Sequence, residues 1–224
     1  MTLIALIIAM TLFSICVMAQ SEKKPVYSSN SREKGKIALT FDDGPHPRNT
    51  PEILEVLDTH GVKATFFVIG VNAKNYPKAL SMMVNGGHEI GNHTYSHSIM
   101  KDKTREQVNC EIVNAEKEIE RSSGKNTVLL RPPCGLYDKN TVRAAMEREY
   151  KIVLWNIDTH DWAHATTEEI ISTVVNNVKG GDIILFHDYI SGKSNTAEAL
   201  KTIIPELKKI GYEFVTVSEL LQNL

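Results

Sequence analysis

The sequence reads Thr40-Phe41-Asp42-Asp43-Gly44-Pro45 where a short apolar segment, residues 37–41, gives way to a turn. Two adjacent carboxylates repel one another unless a positive charge lies close to both. A metal ion meets this requirement, because one carboxylate can serve as a ligand while the other stays free to act as a base. An Asp-Asp pair before Gly-Pro is by itself more often an ordinary turn. The metal interpretation therefore depends on further ligands elsewhere in the chain.

A second stretch, Gly91-Asn92-His93-Thr94-Tyr95-Ser96-His97, supplies such ligands. Its two imidazoles, His93 and His97, are four residues apart and can approach one point from a single turn of backbone. One Asp with two His forms an open three-ligand site, as in catalytic zinc centres, whereas structural zinc is usually closed by four ligands. A His-x-x-x-His spacing also arises by chance. The two stretches together predict a metal site that neither predicts alone.

The order of segments after residue 36 predicts an α/β fold, because short apolar runs alternate with helical patterns. The predicted extended segments are 37–41, 62–69, 88–92, 128–130, 152–157, 183–186 and 214–217. Candidate catalytic side chains follow several of these segments. In parallel α/β barrels the loops after the strands converge on one face. Residues far apart in the sequence are therefore expected to line one pocket.

Helix boundaries are predicted from capping signals. Thr50 is expected to cap a helix whose first turn contains a proline, and Gly124 is expected to end a longer helix. Two capping boxes are predicted, Thr104 with Gln107 and Thr166 with Glu169. These signals divide the domain into alternating strands and helices.

The chain divides into three segments. Residues 1–20 are predicted to be a signal peptide or membrane anchor, because residues 3–19 carry no charge and a polar stretch follows them. Residues 21–35 are polar, show no periodicity and are predicted to be a linker. Residues 36–224 are predicted to form one catalytic domain. We therefore expect an exported protein, secreted or anchored to the cell envelope, with its catalytic domain outside the cytoplasm and its apolar segment a candidate for membrane attachment.

The charge balance does not favour a nucleic-acid partner. The chain has 25 Lys and Arg against 27 Asp and Glu, a formal net charge of -2, which gives no electrostatic argument for nucleic-acid binding. We predict no nucleic-acid partner. Beyond the apolar segment, Cys110 and Cys134 remain, and they could pair only if the fold brings their backbones within disulfide range.

Five motifs follow one another along the chain. They are the Asp-Asp-Gly-Pro stretch, His93-Thr94-Tyr95-Ser96-His97, Arg131-Pro132-Pro133-Cys134-Gly135, Asp161-Trp162 and Leu185-Phe186-His187. In this order, and along nearly all of the chain after residue 36, they resemble the polysaccharide deacetylases with a NodB-homology domain, carbohydrate esterase family 4. The resemblance implies a distorted parallel (β/α) barrel of about seven units. It also implies a divalent metal, zinc or alternatively cobalt, and a polysaccharide substrate with N-acetylated amino sugars.

The resemblance assigns roles on the metal side of the site. It makes Asp43, His93 and His97 the metal ligands and Asp42 the general base that acts on water. It makes Arg131 the partner that keeps Asp42 oriented and ionised through a charge-assisted hydrogen bond. Considered alone, a single arginine of this kind is more often part of a structural salt bridge.

The resemblance also assigns an acid side and a substrate pocket. His187 resembles the general acid that protonates the leaving amine, and Asp161 resembles its partner, although a histidine at a strand end is by itself more often structural. Trp162 and Leu185 resemble walls of a small apolar pocket for the acetyl methyl group. Cys134 stands where the family commonly has tyrosine. The backbone N–H there is implied to help bind the oxyanion, whereas loss of the aromatic surface leaves substrate preference open.

Three functions fit these residues. The first is a metal-dependent hydrolase that removes N-acetyl groups from N-acetylglucosamine units of peptidoglycan or chitin-like chains. The second is an O-acetyl esterase acting on xylan, which would use the same metal site with a different leaving group. The third is a non-catalytic glycan-binding barrel, for which we would expect the base or the acid to be missing. Because Asp42 and His187 are both present, the sequence disfavours the non-catalytic barrel. The deacetylase is the leading hypothesis, and contacts between loops and the sugar would have to separate it from the esterase.

Overall fold

The computed structural model describes residues 26–222 and 224. The predicted signal peptide or anchor, residues 1–20, lies outside the described residues. Within the part of the chain that is described, no helix combines the length and the apolar character needed to cross a membrane.

One parallel sheet organises the domain, as the alternation of segments predicted. Its strands, in chain order, are β1 (Val26–Tyr27), β2 (Lys36–Asp42), β3 (Thr65–Val68), β4 (Glu89–Asn92), β5 (Leu129–Leu130), β6 (Lys151–Val153), β7 (Ile157–Asp158), β8 (Ile183–His187) and β9 (Glu213–Phe214). The spatial order is β1-β6-β5-β4-β3-β2-β8-β7, with β9 paired to β2. All of these pairings are parallel. The predicted distorted parallel (β/α) barrel in a single domain is confirmed.

Helices connect the strands. They are α1 (Asn49–Thr59), α2 (Gly70–Asn75), α3 (Pro77–Asn85), α4 (Arg105–Ser123), α5 (Lys139–Glu147), α6 (Thr167–Val175), α7 (Thr196–Lys209) and α8 (Val217–Leu220). Both predicted capping boxes form, at the start of α4 and of α6. Gly124 ends α4 in the left-handed conformation with φ 66°, as predicted.

The core is built on the central strand β2. Residues 37–42 are all buried, as expected for a parallel strand covered on both faces. The Phe41 ring stacks on Phe66 of β3, with centroids 4.9 Å apart, and on Phe186 of β8, at 5.6 Å. These contacts lock the three central strands together.

The strand register brings the carboxyl ends of the strands level. Asp42, the last residue of β2, is paired with His187, the last residue of β8. Asn92, the last residue of β4, is paired with Leu130, the last residue of β5. The side chains at these ends, and those that directly follow them, therefore lie at one edge of the sheet.

The predicted start of α1 is wrong. Thr50 lies inside the first turn, because the helix begins at Asn49 and its N-cap residue, Arg48, makes no side-chain cap hydrogen bond. The Thr50 hydroxyl instead donates to the Asp188 carboxylate and accepts from the backbone N–H of His46. A tertiary contact uses the hydroxyl that the sequence pattern assigned to a cap.

Two predicted strands also differ from the structure. The segment 152–157 is not one strand, because β6 pairs with β5 and β1 whereas β7 pairs with β8. The segment 214–217 is not a strand beyond Phe214, since Thr216 caps α8 through a capping box with Glu219. Continuous apolar runs cannot show where a chain passes from one sheet neighbour to another.

The predicted linker, residues 21–35, overlaps the folded domain. Val26–Tyr27 forms β1 and pairs with β6, and the buried Asn30 side chain donates to the backbone oxygen of Leu220 at 2.7 Å. The folded part therefore begins before residue 36. A two-residue strand is too short to produce a hydrophobic period, so the polar composition of this segment concealed it.

Candidate active site

Three side chains converge at the edge of the sheet where β2 and β4 end. Asp43 Oδ1 lies 3.3 Å from His93 Nε2 and 3.2 Å from His97 Nε2. The potential ligand atoms of these residues all lie within 4.8 Å of one another, and no other such group of three is found in residues 26–222 and 224. The structure thus brings together the three residues that the sequence predicted as metal ligands.

The donor set fits a divalent ion. Asp43 Oδ1 is buried and accepts no hydrogen bond of good geometry from the described residues. His93 Nδ1 lies 2.7 Å from the backbone oxygen of Arg131, to which it can donate, and this leaves the Nε2 lone pair directed at the cluster. A carboxylate oxygen with two imidazole nitrogens is a donor set suited to zinc or cobalt.

Electrostatics at the cluster favour positive charge. Burial raises the pKa of Asp43, but the two neighbouring imidazoles, His93 and His97, outweigh it and hold that pKa well below its usual range. Asp43 in turn raises the pKa of His97. A carboxylate that stays ionised while mostly withdrawn from water is a strong site for a cation.

The loops that carry the cluster adopt an uncommon backbone. Asp43, Thr94, His97 and Cys134 all have positive φ, between 56° and 73°. Such conformations are disfavoured for side chains other than glycine and concentrate at functional sites. Three of the five sequence motifs therefore contain backbone that the surrounding structure must hold in place.

Asp188 supports the Asp-Asp-Gly-Pro loop, and the sequence analysis did not identify it. A Cβ atom on Gly44 would lie 2.1 Å from an Asp188 carboxylate oxygen, so only glycine fits there. The Asp188 backbone N–H donates to the Asp42 carbonyl at 3.2 Å, and burial raises the pKa of the Asp188 carboxyl to about 7. The only sign of Asp188 in the sequence was that it directly follows His187 at a strand end.

Asp42 lies beside the cluster and is held by Arg131. Arg131 is fully buried and donates from one Nη atom to Asp42 Oδ1 at 2.7 Å and to Thr40 Oγ1 at 2.9 Å. Its remaining nitrogens donate to the carbonyls of Val153 and Leu154 at 3.1 and 3.0 Å. A guanidinium fixed by four acceptors leaves the carboxylate little freedom to rotate.

His187 and Asp161 form a second charged pair across the pocket. His187 Nδ1 lies 2.8 Å from Asp161 Oδ1, while Asp161 Oδ2 accepts from the His187 backbone N–H at 2.8 Å and from Thr196 Oγ1 at 2.7 Å. Burial lowers the pKa of His187, but the hydrogen bond to Asp161 and its charge outweigh this and raise it to about 9. At neutral pH the imidazole is therefore protonated, with Nε2–H free to face the pocket.

One cavity of about 350 Å³ is lined by the three cluster residues together with Asp42 and His187. Its lining includes the three predicted pocket residues: Leu185 is buried, Trp162 is 52% exposed and Cys134 is exposed. A larger cavity, about 630 Å³, lies between α1 and α7, away from the metal cluster. Chemistry rather than size therefore identifies the site.

Trp155 also lines the cavity, and the sequence analysis missed it. The Arg131 guanidinium lies 5.5 Å from the Trp155 ring centroid and 4.0 Å from that of Phe67. The two rings thus flank the cation that holds Asp42. The only signal in the sequence was an aromatic residue just after the β6 segment.

The two cysteines of the described domain are free thiols in the structure, and both are exposed. Cys110 lies on α4, whereas Cys134 lies at the cavity. Burial, together with the Asp43 charge, raises the pKa of the Cys134 thiol. The thiol is therefore protonated at neutral pH, which disfavours it as a metal ligand.

Comparisons with known proteins agree with this architecture. A peptidoglycan-N-acetylglucosamine deacetylase from Bacillus cereus is 43% identical over 188 residues, which cover 83% of this chain and 88% of the relative. A crystal structure of a peptidoglycan N-acetylglucosamine deacetylase with a bound N-oxidanyl-benzamide superposes with a TM-score of 0.87 at 37% identity, covering 91% of this chain and 95% of that one.

A third relative has a different name. A family 4 acetyl xylan esterase from Clostridium thermocellum, solved in complex with cobalt, has a TM-score of 0.77 at 36% identity and covers 84% of this chain and 90% of that one. The sequence model of the polysaccharide deacetylase family matches residues 29–153, more than half of this chain. The chain therefore belongs to the polysaccharide deacetylase family and is a hydrolase of that class.

Proposed function

We propose that this chain is a metal-dependent deacetylase that removes acetyl groups from N-acetylglucosamine units of peptidoglycan. One observation carries the proposal: a candidate cation site, a carboxylate oriented by Arg131 and an imidazole paired with Asp161 all line a single cavity. Amide hydrolysis needs these three functions, because the carbonyl is a poor electrophile and the amine is a poor leaving group.

The base side of the proposed mechanism rests on Asp42. A divalent ion held by Asp43, His93 and His97 would polarise the acetyl carbonyl and favour ionisation of water. Asp42 accepts the proton from the attacking water. Arg131 holds the Asp42 carboxylate in place at the cavity through its 2.7 Å contact.

The acid side rests on His187. Because its pKa is raised to about 9, the imidazole carries a proton at neutral pH. Its Nδ1–H is committed to Asp161, so Nε2–H is the proton available to the departing amine. Asp161 is held by Thr196 and by the His187 backbone N–H, which fixes the direction of the ring.

The proposed substrate follows from the cavity and the relatives. Leu185 and Trp162 offer an apolar surface that suits the acetyl methyl group. Two relatives from Bacillus cereus, 43% and 38% identical, are named as peptidoglycan-N-acetylglucosamine deacetylases. Zinc is the proposed metal, with cobalt as an alternative that the cobalt complex of the xylan esterase relative supports.

We also propose that the chain acts outside the cytoplasm. The uncharged run of residues 3–19 supports export through a signal peptide or anchorage in the membrane. Peptidoglycan is an extracytoplasmic polymer, so this location agrees with the proposed substrate.

Two alternatives are weaker. An O-acetyl esterase would use the same residues, and the acetyl xylan esterase relative keeps that reading open. A nitrogen that is not protonated leaves far less readily than an alkoxide, however, so a general acid such as the His187–Asp161 pair is needed more by an amide substrate than by an ester. A non-catalytic barrel is disfavoured because base, acid and ligand residues all converge on the cavity.

Acetate release by the purified chain from Ser21 onward tests the proposal. The substrates are N-acetylglucosamine oligomers, peptidoglycan and acetylated xylan, each with zinc, with cobalt and with a chelator. We expect metal-dependent release from the amino-sugar substrates, greatest with peptidoglycan. Release from xylan alone would identify an esterase, and no release from folded, zinc-loaded protein would reject the catalytic reading.

A further inference from the structure

The turn of residues 93–97 carries two of the three proposed ligands, and the two are supported differently. His93 directly follows β4, is 2% exposed and is fixed through Nδ1 by the backbone of Arg131. His97 lies at the far end of the turn, and its side chain is 37% exposed. The position of His97 therefore depends on how well the turn itself is held.

The backbone of this turn is unfavourable on its own. Thr94 has φ 67° and His97 has φ 57°, both in the left-handed region that side chains other than glycine rarely adopt. Such a conformation persists only where surrounding contacts enforce it.

Contacts from two neighbouring helices enforce it. The first residues of α2, Gly70 and Val71, donate from their backbone N–H groups to the carbonyls of Thr94 and Tyr95 at 3.0 and 2.9 Å. A Cβ atom on Gly70 would lie 2.8 Å from the Tyr95 ring, so α2 is packed closely against the turn. These bonds satisfy two carbonyl oxygens of the turn.

Glu111, on α4, accepts from two N–H groups of the turn, while the Asn92 side chain accepts from that of Thr94. Glu111 Oε2 accepts from the backbone N–H of Tyr95 at 3.0 Å and of Ser96 at 2.9 Å. Its Oε1 accepts from Ser96 Oγ at 2.8 Å. By contrast, Glu118 on the same helix pairs with Arg121, an ordinary exposed ion pair.

We propose that Glu111 is a positioning residue for the metal site. Its three hydrogen bonds hold the turn so that His97 Nε2 stays beside Asp43 Oδ1, where both atoms can contact the same ion. The proposal rests on the proposed function only for the presence of a metal at the cluster. α4 is a suitable support, because it is capped at both ends and packed on the core through its buried face.

Zinc affinity tests the proposal without reference to turnover. The purified full chain and its variants are stripped with a chelator and titrated with zinc against a competing chromogenic chelator. Glu111→Ala is expected to weaken zinc binding about 10- to 100-fold, the usual cost of losing a group that orients a ligand. Glu111→Gln keeps acceptor capacity and is expected to weaken it less. Glu118→Ala, the matched control on the same helix, is expected to bind zinc like the wild type.

Turnover at limiting and saturating zinc adds a second readout. Glu111→Ala is expected to lose acetate release at limiting zinc and to recover most of it at saturating zinc. Zinc affinity equal to that of the wild type, with only a lower melting temperature of the stripped protein, would overturn the proposal. If Glu111→Ala does not fold, the zinc affinities of Ser96→Ala and Glu111→Gln test the proposal instead. Unchanged zinc affinity in both variants would overturn the proposal.

The outcome is separable from that of the proposed function. A wild-type chain that binds zinc but releases no acetate would contradict the deacetylase proposal, while the affinities of the Glu111 variants would still decide the role of Glu111. A wild-type chain that binds neither zinc nor cobalt would overturn both proposals.

Discussion

The floor and the rim of the pocket are built differently. The floor consists of polar or charged side chains that are almost fully buried and held by hydrogen bonds: Asp42, His93, Arg131, Asp161 and His187. The rim consists of more exposed side chains on loops: His97, Cys134 and Trp162. Side chains held by several partners lose little further freedom when they react, whereas exposed ones can adapt to what binds.

This difference suggests a division of labour. In the proposed mechanism the floor sets which proton moves and in which direction, because its geometry is set by strand register. The rim would receive the glycan, because its side chains contact solvent. We therefore expect floor substitutions to reduce kcat and rim substitutions to act mainly on KM or on metal affinity.

The largest effect is expected at the floor, from Asp42→Asn. Asparagine keeps the shape but cannot accept a proton, so kcat should fall about 10²- to 10⁴-fold. Zinc affinity should stay near that of the wild type, because Asp43 and the two imidazoles are unchanged. Acetate release and zinc titration measure the two quantities. Substantial turnover in this variant would remove Asp42 as the base.

His97 lies at the rim but is also a proposed metal ligand, so His97→Ala tests the division between floor and rim most directly. His97→Ala removes a proposed ligand, so zinc affinity should fall more than the roughly 10- to 100-fold expected for a group that only orients a ligand. Turnover should fall with it. Competitive zinc titration measures the affinity, and a variant that binds zinc normally would exclude His97 from the metal site.

Asp161→Asn tests the acid side of the floor through pH. His187 must be protonated to act as an acid, and its pKa is raised to about 9, so activity should be present at neutral pH and be lost as the pH rises through about 9. Without the Asp161 charge the pKa falls, so the loss of activity should move to lower pH, and kcat at pH 7 should drop about 10²-fold. The pH profile of kcat/KM measures the shift.

An unchanged alkaline limb in Asp161→Asn would show that another group titrates there. Thr196→Val is a milder companion variant, because it removes only one of the bonds to Asp161. Its alkaline limb should move in the same direction by a smaller amount.

The smallest effect is expected at the rim, from Trp162→Ala. The indole is half exposed, so its loss should remove about 1–2 kcal/mol of apolar contact with the substrate and raise KM roughly 5- to 30-fold. kcat should change less. Met146→Ala, which truncates an exposed side chain on α5 outside the cavity, is the matched control. A large loss of kcat with unchanged KM would place Trp162 with the floor.

Strong local patterns and their spacing gave correct predictions. The parallel α/β architecture and the capping boxes of α4 and α6 follow from short-range periodicity and end signals, and both are present in the structure. The proposed metal ligands were also identifiable, because Asp43 and the His-x-x-x-His stretch lie at strand ends. Their individual roles remain predictions until the variants are measured.

Long-range contacts outside the five motifs were not predictable. Thr50 was assigned to a helix cap, but its hydroxyl contacts Asp188, far away in the sequence. Trp155 and Glu111 carry no motif, and only the packing of β6 and α4 brings them to the pocket and to the turn. The short strand β1 was read as linker because its partner, β6, lies more than a hundred residues later.

The sequence by itself determined the class of fold and the kinds of chemical group at the site, because periodicity and residue type are local properties. The tertiary structure decided the distances at which these groups meet, which of them are buried and therefore which pKa values shift. His187 shows the physical reason: its raised pKa requires Asp161 at 2.8 Å in a buried setting, and that distance arises only when β8 and the loop after β7 are packed together.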